Sequence, residues 1–270
     1  MRHTQRSWFV ARAAAVLLTA AGLSACDVMV NTVHGGRAQA EQTWARTYTL
    51  AGTDVAVEIV NTNGTINVEA VDGSSLEVKA VLTARGATEE DAKKTLAKVE
   101  MVEQADASRV RLQAKYPREL GRHGIEVTYT VRAPRSAKVT LENTNGHVKV
   151  NGVLAGLKAE TTNGSVHGEG LGNTVVATTT NGEIKIRMAS VGGDGVALET
   201  TNGGIDLKLP ADAKATLSAR CVNGGIKVAD LPFEKSGEGS RRKLDGAING
   251  GGAAVRLETV NGSIRVGGAT

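Results

Sequence analysis

The chain has 270 residues, 41% of them hydrophobic and only 3% aromatic, with 33 glycines and a formal net charge of +4. Three of its 32 basic residues, Arg2, Arg6 and Arg12, fall in an N-terminal export signal, so the mature chain carries 29 basic residues against 28 acidic ones. That near-neutral balance, an exported fate and the lack of a compact Lys/Arg block interleaved with aromatics exclude a nucleic-acid partner, and two cysteines exclude a disulfide framework.

The three arginines precede the apolar stretch "AAAVLLTAAG", and no acidic residue occurs before Asp27. This is the pattern of a secretory signal, too short for the roughly 20 apolar residues that span a bilayer. It ends in Leu23-Ser24-Ala25-Cys26, which resembles the lipobox of bacterial lipoproteins. The resemblance implies diacylglycerol on the Cys26 thiol, cleavage after Ala25 and a further acyl chain on the new amino terminus. Two or more such chains anchor stably, at about 0.8 kcal/mol per buried methylene. Asp27 resembles the residue that retains enteric lipoproteins in the inner membrane, which favours the periplasmic face of that membrane over the outer membrane or cell surface. With residues 1–25 removed, residues 26–44 serve as a lipid-anchored tether. Cys221 is left without an intrachain partner and reads as a small buried side chain.

From Tyr48 the pattern changes. "DVAVEIV", "LEVKAVLTA", "RVRLQAKY" and "IEVTYTV" alternate apolar and polar residues, as strands with one buried face do. Between them "ATEEDAKKTLAKVEM" predicts one helix, with Thr88 as N-cap, acids in the first turn, and Ala92, Leu96 and Val99 on one stripe. Residues 45–135 therefore form a β-rich module carrying a single helix.

Residues 136–270 repeat themselves. Seven Asn-Gly pairs carry the repeat, beginning at Asn63, Asn145, Asn163, Asn181, Asn202, Asn223 and Asn261, the last six separated by 18, 18, 21, 21 and 38 residues, the longest interval counting as about two units. Three residues after each Asn stand Ile66, Val148, Val166, Ile184, Ile205, Ile226 and Ile264; six before stand Val57, Val139, Leu157, Val175, Val196, Leu217 and Val255. Two strands meet at each Asn-Gly. Column-by-column identity favours a solenoid of parallel in-register turns over a meander of hairpins. Two before the Asn, on the inward side, come Asn61, Asn143, Thr161, Thr179, Thr200, Cys221 and Thr259, polar groups that can bond along a stack. Asn and Gly at the corner supply unusual backbone angles. The expected fold is all-β: a repetitive, single-stranded β-helix-like solenoid in units of about 18–21 residues, two facing sheets thick, preceded by the module with one helix. The C-terminal stretch "GSIRVGGAT" is expected to present its unpaired end layer, an edge for self-association.

The repeated Thr-Asn-Gly-x-Ile phrase, the closing "AINGGGAAVRLETVNGSIRV" and the preceding alternating strands resemble the bacterial candidate-adhesin domain of unknown function, a family of envelope proteins with β-solenoid bodies. The resemblance covers about 45–270. It implies the fold and an envelope location, and carries no catalytic residues over.

Outward positions supply the candidate binding surface. Four after the Asn come Asn67, Lys149, His167, Lys185, Asp206, Lys227 and Arg265; three before come Val60, Glu142, Glu160, Thr178, Glu199, Arg220 and Glu258. The basic row Lys149, His167, Lys185, Lys227 and Arg265 and the acidic row Glu142, Glu160, Glu199 and Glu258 flank one corner, a surface suited to a charged polymer or a partner protein. His147 and His167 lie in offset columns without a third ligand, so no metal is expected, nor any cofactor. The one large break in the repeat, 229–250, reads as cover for the core. These features describe a non-catalytic, membrane-anchored envelope module whose partners are the membrane itself, cell-wall or surface polysaccharide, or an envelope protein. The alternatives are an envelope-stress accessory protein acting through a membrane partner and a polysaccharide-active β-solenoid enzyme, the latter needing two convergent carboxylates.

Overall fold

The computed structural model describes residues 28–31, 38–52, 54–117, 120, 124–238 and 240–269; the signal segment, Cys26 and Asp27 lie outside the described residues. In chain order the elements are β1 (Val28–Asn31), β2 (Ala38–Thr49), β3 (Ala56–Val60), β4 (Ile66–Val71), β5 (Ser75–Gly86), α1 (Glu89–Leu96), β6 (Glu100–Ala105), β7 (Arg109–Lys115) and β8 (Ile125–Pro134). The repeats supply β9 (Lys138–Asn145), β10 (Val148–Asn151), β11 (Leu157–Asn163), β12 (Val166–Leu171), β13 (Val175–Asn181), β14 (Ile184–Met188), β15 (Val196–Asn202), β16 (Ile205–Leu209), β17 (Ala215–Asn223) and β18 (Ile226–Ala229). The chain ends with β19 (Phe233–Lys235), β20 (Lys243–Ile248), β21 (Ala253–Asn261) and β22 (Ile264–Gly268).

Each turn sends one strand to a back sheet before its Asn-Gly and one to a front sheet after it. The front order is β1-β2-β5-β8-β4-β10-β12-β14-β16-β22-β18, and the back order is β19-β20-β17-β21-β15-β13-β11-β9-β3-β7-β6. Pairing between turns is parallel and in register: Leu157 lies beside Val175, Thr161 beside Thr179, Asn163 beside Asn181, and Val166 beside Ile184. The two sheets close one β-solenoid core, in which Val148, Val166, Ile184, Ile205 and Ile264 are buried.

The Asn63 turn stacks directly on the Asn145 turn, β3 against β9 and β4 against β10. The excursion between them adds β7 and β8 as a further parallel layer, then antiparallel β6, which ends the back sheet, and antiparallel β5, on which β2 and then β1 pair to end the front sheet. Both sheets thus run without a seam through residue 135. The helix is capped as its sequence predicts: the Thr88 hydroxyl accepts from the Asp91 amide at 3.1 Å, Ala92 and Leu96 are buried, and α1 lies against β5 and β2. Residues 38–44, expected within the tether, instead form the first part of β2, which pairs along its whole length with β5. The stretch lacks strict alternation because nearly all of it is half-buried, with Ala40 its one fully buried residue.

The layers do not follow chain order. β21 enters between β15 and β17, and β22 between β16 and β18, so the Asn261 turn lies between those of Asn202 and Asn223. The C-terminal strand is therefore internal, and the front sheet ends on β18 instead. The 38-residue interval holds no extra turn: it houses the hairpin of β19 and β20, and β20 pairs antiparallel along the outer edge of β17. One consequence is chemical: the carbonyl of Gly203 receives the Thr259 hydroxyl at 2.9 Å, where chain order would have offered the Cys221 thiol.

Candidate functional site

Stacking in register brings identical side chains to the spacing of neighbouring strands, about 4.8 Å, and the corner uses this twice. On its outside the seven Asn side chains form a chain of amides. Asn145 donates to Asn63, Asn163 to Asn145, Asn181 to Asn163, Asn202 to Asn181, Asn261 to Asn202 and Asn223 to Asn261, every Nδ2–Oδ1 distance being 2.8 Å. At the capped end Asn63 donates to the Ile125 carbonyl at 3.2 Å. At the other end no further layer follows Asn223 among the described residues.

Inside the corner, Thr161, Thr179, Thr200 and Thr259 donate through Oγ1 to the carbonyls of Gly146, Gly164, Gly182 and Gly203 in the adjacent layer, at 3.2, 2.8, 2.9 and 2.9 Å. Asn143 does the same through Nδ2 to Gly64 at 2.8 Å, and Asn61 reaches Val127 at 3.0 Å. The hydroxyl supplies a hydrogen bond to a buried carbonyl that the strand ladder leaves at the turn. Gly64, Gly146 and Gly224 adopt the positive φ that the sequence suggests, while the other four corner glycines have a different reason. Gly164, Gly182, Gly203 and Gly262 do not adopt left-handed φ; a Cβ on each would lie within about 2.0 Å of the preceding corner's glycine oxygen. At these four, close approach between layers and not backbone angle excludes a side chain. Cys221 ends the hydroxyl column, its Sγ 3.8 Å from the Arg241 carbonyl.

The outward rows lie on different sheets. In spatial order the front-sheet row reads Asn67, Lys149, His167, Lys185, Asp206, Arg265, Lys227; the back-sheet row reads Val60, Glu142, Glu160, Thr178, Glu199, Glu258, Arg220. Both border the Asn corner, but they face away from each other across the core and make no common cleft. Part of the basic row is neutralised by Glu183, which holds Lys185 at 2.7 Å and His167 at 3.2 Å. The Lys185 hydrogen bond is the main reason the Glu183 carboxyl titrates below its ordinary value of 4.5, with His167 adding to it. Lys149, Arg265 and Lys227 have no ion-pair partner among the described residues, and of the acidic row only Glu160 has one, Lys158 at 2.8 Å. His147 is occupied as an acceptor, its Nδ1 receiving the Ser165 amide at 3.2 Å.

One column passes unnoticed when the sequence is read for charge. Immediately before the Asn, five layers expose Thr62, Thr144, Thr162, Thr180 and Thr201, whereas the last two in space expose Val260 (40%) and Val222 (54%). The signal is present in the letters, as "TVNG" and "CVNG" in place of "TTNG".

The model of the family described as Toastrack DUF4097 matches residues 126–267. No curated protein matches the chain. Among solved structures the chain is similar to a candidate cell adhesion protein from Clostridium sporogenes ATCC 15579, at 12% identity over 84% of this chain and 100% of that one, TM-score 0.46. It is similar to a candidate adhesin from Bacteroides fragilis NCTC 9343, at 11% identity over 83% and 96%, TM-score 0.39. A candidate lipid binding protein from Parabacteroides distasonis ATCC 8503 shares 8% identity over 84% and 97%, TM-score 0.23.

Proposed function

The chain belongs to the Toastrack DUF4097 family, and on that footing we propose that it is a non-catalytic, adhesin-like module of the cell envelope, anchored through Cys26 and holding an anionic polymer against its front sheet. The observation that supports this reading is a set of front-sheet cations without an ion-pair partner among the described residues: Arg265 and Lys227 on the adjacent strands β22 and β18, and Lys149 on β10 farther along the same sheet. Charges used only for solubility are commonly interspersed with the opposite sign, as Lys185 and Glu183 are here. Unpaired cations spread along one sheet face suit a ligand whose charges also repeat along one direction. Acidic cell-wall or surface polysaccharide has that chemistry, and the envelope is where an anchored chain meets it.

The test is a binding screen of the full chain against peptidoglycan, lipopolysaccharide and anionic polysaccharide fragments, with product formation followed in the same samples. Saturable binding that weakens with salt, falls on Lys149→Glu and falls less on Lys185→Glu, which Glu183 already holds, is the expected result. Binding indifferent to Lys149→Glu, or release of product, would overturn the proposal.

A further inference from the structure

The two sheets end differently at the Asn223 layer. In the back sheet β20 covers β17 from Ala215 to Arg220, after which the Arg242 carbonyl takes the Cys221 amide at 2.9 Å and the Arg241 carbonyl takes that of Ile226 at 3.1 Å. There the cover stops. In a parallel ladder the N–H and C=O of alternate residues face the same neighbour, and the bond from the Ile264 amide to the Gly225 carbonyl sets which residues of β18 face β22. Ile226 and Val228 face the other way, so the Val228 N–H and the carbonyls of both residues point to an edge on which no strand lies among the described residues.

The core is thin at the same place. Ile226 and Val228 are half-buried, in columns where the preceding layer has Ile264 and Val266 buried. Around the corner stand the exposed Val222 and Val260. A groove of about 350 Å³ lies at the start of β18 and reaches across to β22, lined by Gly225, Ile226, Lys227, Arg241, Ser263, Ile264 and Arg265, with three cations and no carboxylate.

From these three observations we propose that β18 is a docking edge that takes an extended, acidic strand from another envelope protein. Main-chain hydrogen bonds to Val228 and the Ile226 carbonyl would supply affinity, apolar side chains of the incoming strand would complete the cover of Ile226 and Val228, and its carboxylates would meet Lys227, Arg241 and Arg265. A second copy of this chain fits less well, because two β18 edges paired across a two-fold axis would bring their Lys227 side chains together, and like charges opposite one another destabilise a strand pair. This edge shares Lys227 and Arg265 with the cations proposed for the polymer but not Lys149, which lies on β10, five strands from β18 in the front sheet.

The test uses the full chain and three labelled ten-residue peptides: one alternating Val and Glu, one alternating Val and Lys, and the Val/Glu peptide N-methylated at every residue. Fluorescence anisotropy should show salt-sensitive binding of the Val/Glu peptide alone. Val228→Pro, which deletes the edge donor while keeping every cation, should abolish it. The double variant Lys227→Glu with Arg265→Glu should weaken it about tenfold or more and admit the Val/Lys peptide. Amide exchange at Val228 should slow on binding. Absence of binding by the Val/Glu peptide, equal binding of both charge types, or binding that survives N-methylation overturns the proposal. The peptide arms and the double variant decide the matter even if Val228→Pro does not fold. A concentration-dependent dimer dispersed by Val228→Pro would assign the edge to a second copy and overturn the acidic partner. Loss of polymer binding on Lys149→Glu with peptide binding intact would separate this site from the front-sheet surface.

Discussion

Layer contact, and not backbone angle, dictates the interior corner glycines Gly164, Gly182, Gly203 and Gly262, and Gly182 is the most direct place to perturb it. A Cβ built there lies 2.0 Å from the Gly164 oxygen, 2.5 Å from its carbonyl carbon and 3.0 Å from the Ser165 nitrogen, where real Cβ atoms essentially never come under 3.0 Å. All three atoms are backbone, so relief requires the two layers to part by about an ångström, which is overpacking at a cost of about 1–3 kcal/mol. Parting them stretches the Thr179 to Gly164 bond at 2.8 Å and the Asn181 to Asn163 bond at 2.8 Å. Each such bond contributes about 0.5–1.5 kcal/mol. Gly182→Ala should therefore destabilise by about 2–6 kcal/mol, a large part of the 5–15 kcal/mol typical of a whole domain. By the usual scaling this lowers Tm by about 4 to 24 °C, readable by circular dichroism. Gly225→Ala is the control, since nothing lies within 4 Å of its built Cβ, and it should stay within about 0.5 kcal/mol of the parent. Gly182→Asn separates the two explanations, because asparagine tolerates left-handed φ but still carries a Cβ. It should be as damaging as alanine. Equal stabilities for Gly182→Ala and Gly225→Ala, or rescue by asparagine, would refute the reasoning.

Thr179→Val keeps shape but leaves the Gly164 carbonyl without its hydroxyl donor. It should lose about 1–3 kcal/mol in chemical denaturation. Cys221→Thr should act in the opposite sense, gaining about 1 kcal/mol by extending the hydroxyl column to Gly262; a lower Tm would show that the thiol is preferred there. For pH, Glu183 is depressed by Lys185 and then His167, Asp54 by Lys138, Asp106 by the Ser108 and Arg109 amides, and Asp245 by the Ser218 hydroxyl. Carboxyls whose folded pKa lies below the unfolded one contribute stability that is complete above the unfolded values of 3.8 and 4.5 and is lost as the pH falls through the folded values. Stability should thus be flat between about pH 5 and 6 and decline below about 4 in a denaturant midpoint series, with Glu183→Gln flattening part of the decline.

The columns were legible because a parallel in-register stack gives equivalent positions equivalent surroundings. Ile184, Ile205 and Ile264 are apolar for one shared reason, as Thr161, Thr179 and Thr200 are polar for another. Layer order was not legible for the same reason. Val255, Leu257, Ile264 and Val266 would fit beside any other layer, so nothing in their alternation distinguishes a turn added at the end from one inserted between Asn202 and Asn223. The cue that existed was local, a Thr at 259 against a Cys at 221. The glycine requirement was visible in the letters but its cause was not, since a clash between layers depends on a neighbour 18 or more residues away. The charged rows were legible as columns, while the partial neutralisation of Lys185 and His167 came from Glu183, in a column whose other members include Ser165 and Gly204 and which therefore shows no pattern.

Uniform interior layers should also be removable, whereas the two ends should not. The turn from Gly164 to Asn181 is flanked by corners of the same geometry, with Asn163 bonded to Asn145 on one side and Asn181 bonded to Asn202 on the other. Deleting residues 164–181 joins Asn163 to Gly182, which brings Asn202 onto Asn163, Ile184 onto Val148 and the Thr200 column intact onto the corner. No cap is touched: β5, β2 and β1 still end the front sheet, β6 still ends the back sheet and β20 still covers β17. In a repeat stack, stability is close to a sum over layers and their interfaces, so the shortened chain should keep its β spectrum and cooperative unfolding with a reduced midpoint. It also loses His167 and, with it, one step of the front-sheet row. Polymer binding should weaken while binding of the Val/Glu peptide at β18 stays unchanged, because the row extends along the stack and the edge does not. A chain that fails to fold after this deletion would mean that the interior turns are not equivalent, and the solenoid would then be held by particular contacts instead of by its repeated ladder.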